Sequence, residues 1–349
     1  MRKNIILFFL LLLLQLSCKE KDNETISITI DITKAQEISK FEHSFQTISI
    51  DTSKLALQGV VYSIMFLNDN IAIHTPNRLS LFDSSGIYFR DIGRLGMAYN
   101  EYLQLSSVFY ENNVFNLFDS DVQRILKFNV NGDFIESKTF DQNNEYGAHK
   151  ITTFFDNYIA LIKYRSRFVE TPTLGLFDKS LTLKETMGNI RTSGLSLHHV
   201  FSRYQSEMLF WNMFDYNIYS LNRDFETKSK YYINFGKHSI PKSVCSNDRD
   251  GNKTMEYFQK NITDVIVSVQ YVIEQDSYLS FTFSMDKSCF LAIFDKMTGK
   301  TKVYDLKLSE DFTFYPFVSM YKDNYVFCGI DMLNPSSNLE IIMIKQDVL

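Results

Sequence analysis

Cysteine, proline and tryptophan are scarce in this chain, with four, five and one among 349 residues. Apart from Cys18 the cysteines are Cys245, Cys289 and Cys328, and an odd number at wide spacing excludes a disulfide framework. They read as buried thiols acting as small hydrophobes, with a Cys289 to Cys328 bridge as the alternative. Few prolines and only 13 glycines exclude collagen-like and low-complexity classes. Net charge of -5 provides no basic field, which excludes nucleic acid as a partner. Histidine is also sparse, at six. The adjacent pair His198-His199 would point to opposite faces of a strand and could not easily share a metal. There is no Gly-x-Ser-x-Gly elbow, His-Glu-x-x-His helix or Cys-x-x-Cys pair. No catalytic set, metal ligand set or cofactor is therefore identified.

What the chain has in quantity is aromatic, with 31 Phe and 20 Tyr and no long stretch of helical periodicity after the first residues. Such residues pack well on pleated surfaces, which predicts an all-β body. A phrase recurs along it: an apolar strand ending in an aromatic or leucine, then Asp or Asn and a tight turn. Its instances place the polar residue at Asp83, Asn129, Asp178, Asn222 and Asp295. The first four are 46, 49 and 44 residues apart, the length of one four-stranded blade. A short polar side chain there can bond the turn's backbone, and a nearby Gly or Asn can take a positive φ.

The interval from Asn222 to Asp295 is longer, at 73 residues, and predicts a polar insertion over 241–264 with a short helix near 254–261. A sixth unit at the C-terminus lacks its last strand, which the N-terminal segment can supply. Residues 26–32 alternate with period two, 45–50 form another strand candidate, and Thr33 to Gln36 fit a helix capping box. The fold expected is a six-bladed β-propeller of four-stranded antiparallel blades closed by an N-terminal strand. A pair of β-sandwiches, or seven blades with the insertion counted, are the alternatives.

The N-terminus has a different character. Met1-Arg2-Lys3-Asn4 precedes an apolar run that includes five leucines from Leu10 to Leu14, the shape of a signal peptide over 1–17. The run is short for a membrane-spanning helix, which needs about 20 apolar residues. It ends at Gln15-Leu16-Ser17-Cys18, which resembles the bacterial lipobox, with Gln15 where leucine is usual. Lipidation of Cys18 would leave residues 18–25 as a polar tether and 26–349 as the propeller. The charges of Lys19-Glu20-Lys21-Asp22 are similar to the export signal of Bacteroidetes surface lipoproteins.

After the first turn comes Ile92-Gly93-Arg94-Leu95-Gly96-Met97-Ala98-Tyr99-Asn100-Glu101-Tyr102. With the repeat, this stretch resembles the six-bladed β-propeller lipoproteins of Bacteroidetes, related in shape to NHL-repeat propellers. In that family the phrase reads roughly I-G-r-x-G-x-G-P-G-E-Y. Gly93, Gly96, Glu101 and Tyr102 match it, whereas Ala98, Tyr99 and Asn100 replace its Gly, Pro and Gly. The resemblance implies the fold and an envelope location, in the outer membrane on its periplasmic or surface face, and it carries no activity. The motif lacks the spacing of a phosphate loop. It is expected to form a tight inter-blade crossover with Glu101 satisfying backbone donors, against a ligand role for Glu101 or Tyr102 at the channel.

Other candidates are weighed against plain structural roles. Asp119-Ser120-Asp121 resembles a cation loop but lacks the further oxygen ligands and the glycine that calcium needs. The run 247–252 lacks a closing Glu. Arg165 and Arg167 with Trp211 could hold an anionic or sugar ligand by bidentate bonds and stacking, or the arginines could simply face solvent.

The function these features support is a membrane-tethered envelope lipoprotein whose propeller serves as a binding or scaffold module for a glycan, a peptide or a partner protein. The alternative is a metal-dependent lyase or hydrolase with its site at the central channel, which the scarcity of histidine disfavours.

Overall fold

The computed structural model describes residues 25–52, 61–141, 146–164, 174–187, 200–213, 215–241, 243–244, 252–307, 312–331 and 339–349. Cys18, Arg165, Arg167, Cys245, the pair His198-His199 and the run 247–251 lie outside them. Six four-stranded antiparallel blades follow one another along the chain. Blade 1 consists of Ser63–Leu67, Asn70–Thr75, Arg78–Asp83 and Tyr88–Asp91. Blade 2 runs from Leu105–Glu111 to Phe134–Thr139, blade 3 from Tyr146–Phe154 to Leu183–Met187, and blade 4 from Phe201–Tyr204 to Thr227–Asn234. Blade 5 begins with Gln270–Glu274 and ends with Thr301–Asp305. Blade 6 has Phe312–Tyr321, Asn324–Asp331 and Leu339–Lys345.

The fourth place in blade 6 belongs to Gln46–Ile50, antiparallel to the C-terminal strand from Leu339↔Ile50 to Met343↔Gln46. The N-terminal segment reaches this place along the outer rim. Ile26–Thr29 adds a fifth, parallel strand to blade 4, and Gln36–Glu37 a short parallel one to blade 5. Between them Ile32–Lys34 is a single 3-10 turn whose N-cap is Asp31, with its carboxylate accepting from the Thr33 amide at 3.2 Å. The capping box expected at Thr33 is therefore displaced by two residues. No α-helix follows, because the chain returns at once to a strand on blade 5.

The recurring Asp or Asn shapes the hairpin between the third and fourth strands. In blade 1 the Asp83 Oδ1 accepts from the amides of Ser85 and Ile87 at 2.9 and 3.0 Å. Asn129, Asp178 and Asn222 repeat this with the amides two and four residues on. Asp295 takes the amides two and three residues on. The residue three after the cap has a positive φ in the first four blades: Gly86, Gly132, Leu181 and Phe225. Leucine and phenylalanine are strained there. Both side chains are buried, and the area removed from water offsets that strain.

The core consists of wedges between neighbouring blades. Blades 1 and 2 enclose Leu79, Leu81, Leu117 and Leu126, and blades 2 and 3 enclose Phe118, Phe140, Tyr158 and Phe177. Blades 4 and 5 share a large aromatic group, including Trp211, Tyr231, Phe281 and Phe283. Cys289 and Cys328 are free thiols in the wedge that joins blades 5, 6 and 1. Burial pushes the Cys289 thiol up to about 12 and that of Cys328 upward as well. Between blades 4 and 5 the insertion carries an α-helix, Asn252–Lys260, close to its expected span. The base of the insertion is stapled by the Tyr216 hydroxyl, which donates to the Ile266 carbonyl and accepts from the Ile240 amide, each at 2.7 Å.

Candidate functional site at the central channel

Radial packing brings the first strand of every blade to the axis, where they surround a cavity of about 410 Å³. That volume lies within the range of small-molecule sites. Hydroxyls dominate its polar lining, from Ser63, Ser106, Ser107, Thr152, Ser202 and Ser319. Lys150, His74 and Arg203 supply the basic groups, and no aspartate or glutamate lines the cavity among the described residues. The described lining is therefore basic, in a chain whose net charge is -5.

Lys150 is turned inward by local backbone geometry. A β-bulge falls at His149, so that Ala148 opposes Ile162 while Lys150 already opposes Leu161. An extra residue re-aims the side chains that follow it. Gln123, from the neighbouring blade, grips the peptide groups of Ala148 from both sides. Its Nε2 donates to the Ala148 carbonyl at 2.8 Å, and its Oε1 accepts from the Ala148 amide at 2.6 Å. Blade 2 has a matching bulge at Ser106. The carbonyl of Ser106 accepts from Lys150 Nζ at 2.5 Å, and Ser107 Oγ accepts from the Ile151 amide at 3.2 Å.

The ammonium also lies 5.2 Å from the centroid of the Tyr62 ring. Tyr62 in turn packs edge-on to His74, whose Nε2 is 3.2 Å from the Leu105 carbonyl. No carboxylate pairs with Lys150 among the described residues. Burial alone brings its ammonium down to about 8. A cation so placed can attract an anion strongly, because there is little water to screen it. Ser63 Oγ is also buried and has no protein hydrogen-bond partner.

The residues singled out from the sequence lie elsewhere. Gly93 and Gly96 belong to the crossover between blades 1 and 2. Glu101 Oε2 accepts from the Ala98 amide at 2.9 Å and Oε1 from Arg94 Nε at 2.5 Å. The Ala98 amide and the Arg94 guanidinium hold its carboxyl below the usual carboxylate range. A Cβ on Gly96 would come within 2.0 Å of Glu101 Oε2, so the carboxylate occupies the space that glycine leaves. Tyr102 is buried and donates to the Asn77 carbonyl at 3.2 Å. Neither Glu101 nor Tyr102 lines the channel. The same crossover leaves Met97 and Tyr99 exposed, at 86% and 69% of their surface.

Trp211 is fully buried in the wedge between blades 4 and 5, so its ring offers no face to a dissolved ligand. Its place directly after a strand of blade 4 puts it in the core and away from the channel. Asp119 is also fully buried, and its carboxylate accepts from the amides of Leu103, Gln104, Asp121 and Val122 at 2.9 to 3.3 Å. It is thus the organiser of a strand connection. No group of three His, Cys, Asp or Glu side chains converges among the described residues. Likewise, no helix among them is long and apolar enough to cross a membrane.

The radial blades and converging inner strands define a six-bladed β-propeller. The chain belongs to the family described as domain of unknown function DUF4934, which matches residues 24–345. Among solved structures it is similar to a Bacteroides fragilis protein described as exported, at 18% identity and a TM-score of 0.69. That match covers 92% of this chain and 100% of the other. It is also similar to a DUF4221 family member from Bacteroides vulgatus, at 10% identity and a TM-score of 0.54, over 86% of this chain and 95% of the other. At these identities both likenesses speak to the fold alone. No curated protein matches the chain.

Proposed function

We propose that this protein is an exported, lipid-anchored binding module of the bacterial envelope, whose central channel receives a small ligand or the end of a glycan or peptide chain. The observation that carries the reading is the convergence of all six inner strands on one hydroxyl-lined cavity with a buried, unpaired cation at its wall. A rigid ring that holds polar groups around a cavity is suited to recognition, since little ordering is required on binding. The export element draws support from the cationic and apolar leader before Cys18.

The test fills the channel. Ser202→Trp places an indole among the inner strands at a position on the cavity wall. Purified wild-type protein and the variant are screened against immobilised oligosaccharides and peptides. The reading expects ligands that bind the wild type and are lost by the variant. Ligands retained equally by both would place recognition elsewhere, and overturn it.

A further inference from the structure

We infer that the channel selects a small polyhydroxylated oxyanion, of the sugar-acid class, with Lys150 as the partner of its acidic group. This rests on the channel being the binding site.

Three features of the wall point the same way. The first is charge. Among the described lining residues the formal charges are Lys150 and Arg203, with no acid to balance them, in a chain whose net charge is -5. Over the whole chain acids slightly outnumber bases, 41 to 36. The second is how Lys150 is held. Burying an ammonium is costly unless it is paired, yet two adjacent bulges and the grip of Gln123 on Ala148 keep this one at the cavity wall with a carbonyl and a ring face as its contacts. An incoming oxyanion supplies the missing counter-charge at a site that is already organised.

The third feature is the ring of hydroxyls. Serine and threonine both donate and accept, as sugar hydroxyls do. Ser202, Ser319 and Thr152 bring such groups to the wall from three different blades. Ser106 and Ser107 already bond the backbone through their hydroxyls, and apolar tails would leave the remaining ones unpaired, at a cost. A ligand rich in hydroxyls with one acidic group satisfies both the wall and the lysine, and a cavity of about 410 Å³ accommodates one or two sugar rings.

Calorimetric titration tests this with matched probes: glucuronate and galacturonate for the carboxylate, glucose 6-phosphate and glucose 6-sulfate for the esters, and glucose and galactose as neutral parents. At least one acid is expected to bind ten-fold or more tightly than its neutral parent, with affinity falling as salt rises. Which acid is preferred separates a carboxylate from a phosphate or sulfate source. Lys150→Met should abolish that preference, and Lys150→Arg should retain part of it; the melting curve of each variant establishes that it is folded. Neutral sugars binding as well as acids, acid binding that survives Lys150→Met, or no binding by any acid would each overturn the inference. If a ligand is lost in Ser202→Trp but is neutral and indifferent to Lys150, the anion inference fails while the binding-module reading stands. If a ligand persists in Ser202→Trp, that reading fails as well.

Discussion

The amide of Asp51 donates to the carbonyl of Gly86 at 2.9 Å, joining the end of the strand that completes blade 6 to the outer turn of blade 1. The approach is close. A Cβ at Gly86 would lie 2.1 Å from the Ser49 carbonyl oxygen. Gly86 thus serves the turn by its φ of 89° and the junction by its lack of a side chain.

Gly132 provides the control, because it has a similar φ of 80° in the equivalent turn of blade 2 and its nearest neighbour would be 3.5 Å from a Cβ. Alanine at Gly132 is expected to cost about 1 to 2 kcal/mol, from backbone strain alone. Alanine at Gly86 should cost clearly more, since it must also move the N-terminal strand. Equilibrium urea unfolding of the two variants measures the difference. Equal losses would show that the contact with Ser49 contributes nothing to stability.

Glu274 is expected to be the most sensitive buried charge. Its side chain is 1% exposed, and it accepts from Lys230 at 3.0 Å, Lys296 at 2.7 Å and the Tyr231 hydroxyl at 2.7 Å. Glu274→Gln keeps the shape and leaves Lys296 without a carboxylate, while Lys230 keeps Glu207 at 2.7 Å. Removing one member of such a group costs about 3 kcal/mol or more. A fall in urea midpoint with an unchanged slope is the expected result.

Lys150 should make the protein less stable than it could be. In the folded protein its ammonium titrates at about 8, against 10.5 for an ordinary lysine. Below about 8 both states hold the proton and the full cost of burial is present. Between the two values the unfolded chain binds more protons, so this group's contribution to stability improves as pH rises. Lys150→Met should therefore be more stable than wild type at pH 7, by on the order of 3 kcal/mol. That advantage should shrink above pH 8 and vanish near 10.5. Parallel stability curves for the two proteins would refute the assignment.

Replacing Cys18 by Ala should release the protein from membranes into the soluble fraction, while leaving the melting temperature of the propeller unchanged. Fractionation followed by immunoblotting checks it. Membrane retention of the variant would rule out the lipid anchor.

The blades were legible because each one ends in the same local chemistry. Asp83, Asn129, Asp178 and Asn222 must accept from amides two and four residues on, and that requirement leaves a mark at every repeat. Leu181 and Phe225 were harder to anticipate as left-handed residues, since their strain is offset only by burial in the folded ring. Lys150 left no signal. A lysine in a strand reads as solvent-facing, and only the bulge at His149 and the clamp from Gln123, both dependent on the neighbouring strand and blade, turn it to the axis. The path of the N-terminus was half visible. Alternation marked residues 26–32 as a strand, but which edge they join depends on the sheet that presents one, and the outer strand of blade 4 does so at Tyr231 to Asn234.

That path along the rim also decides how the ring would hang. Thr25 lies seven positions after Cys18, so a lipid on that cysteine would be at most about 25 Å from the start of the rim strand. If Cys18 carries a lipid, the ring would be suspended by the edge of blade 4. Any pull on such a tether would then be borne first by the four paired residues from Ile26 to Thr29, along the edge of blade 4, before it reached the seam that holds the circle shut.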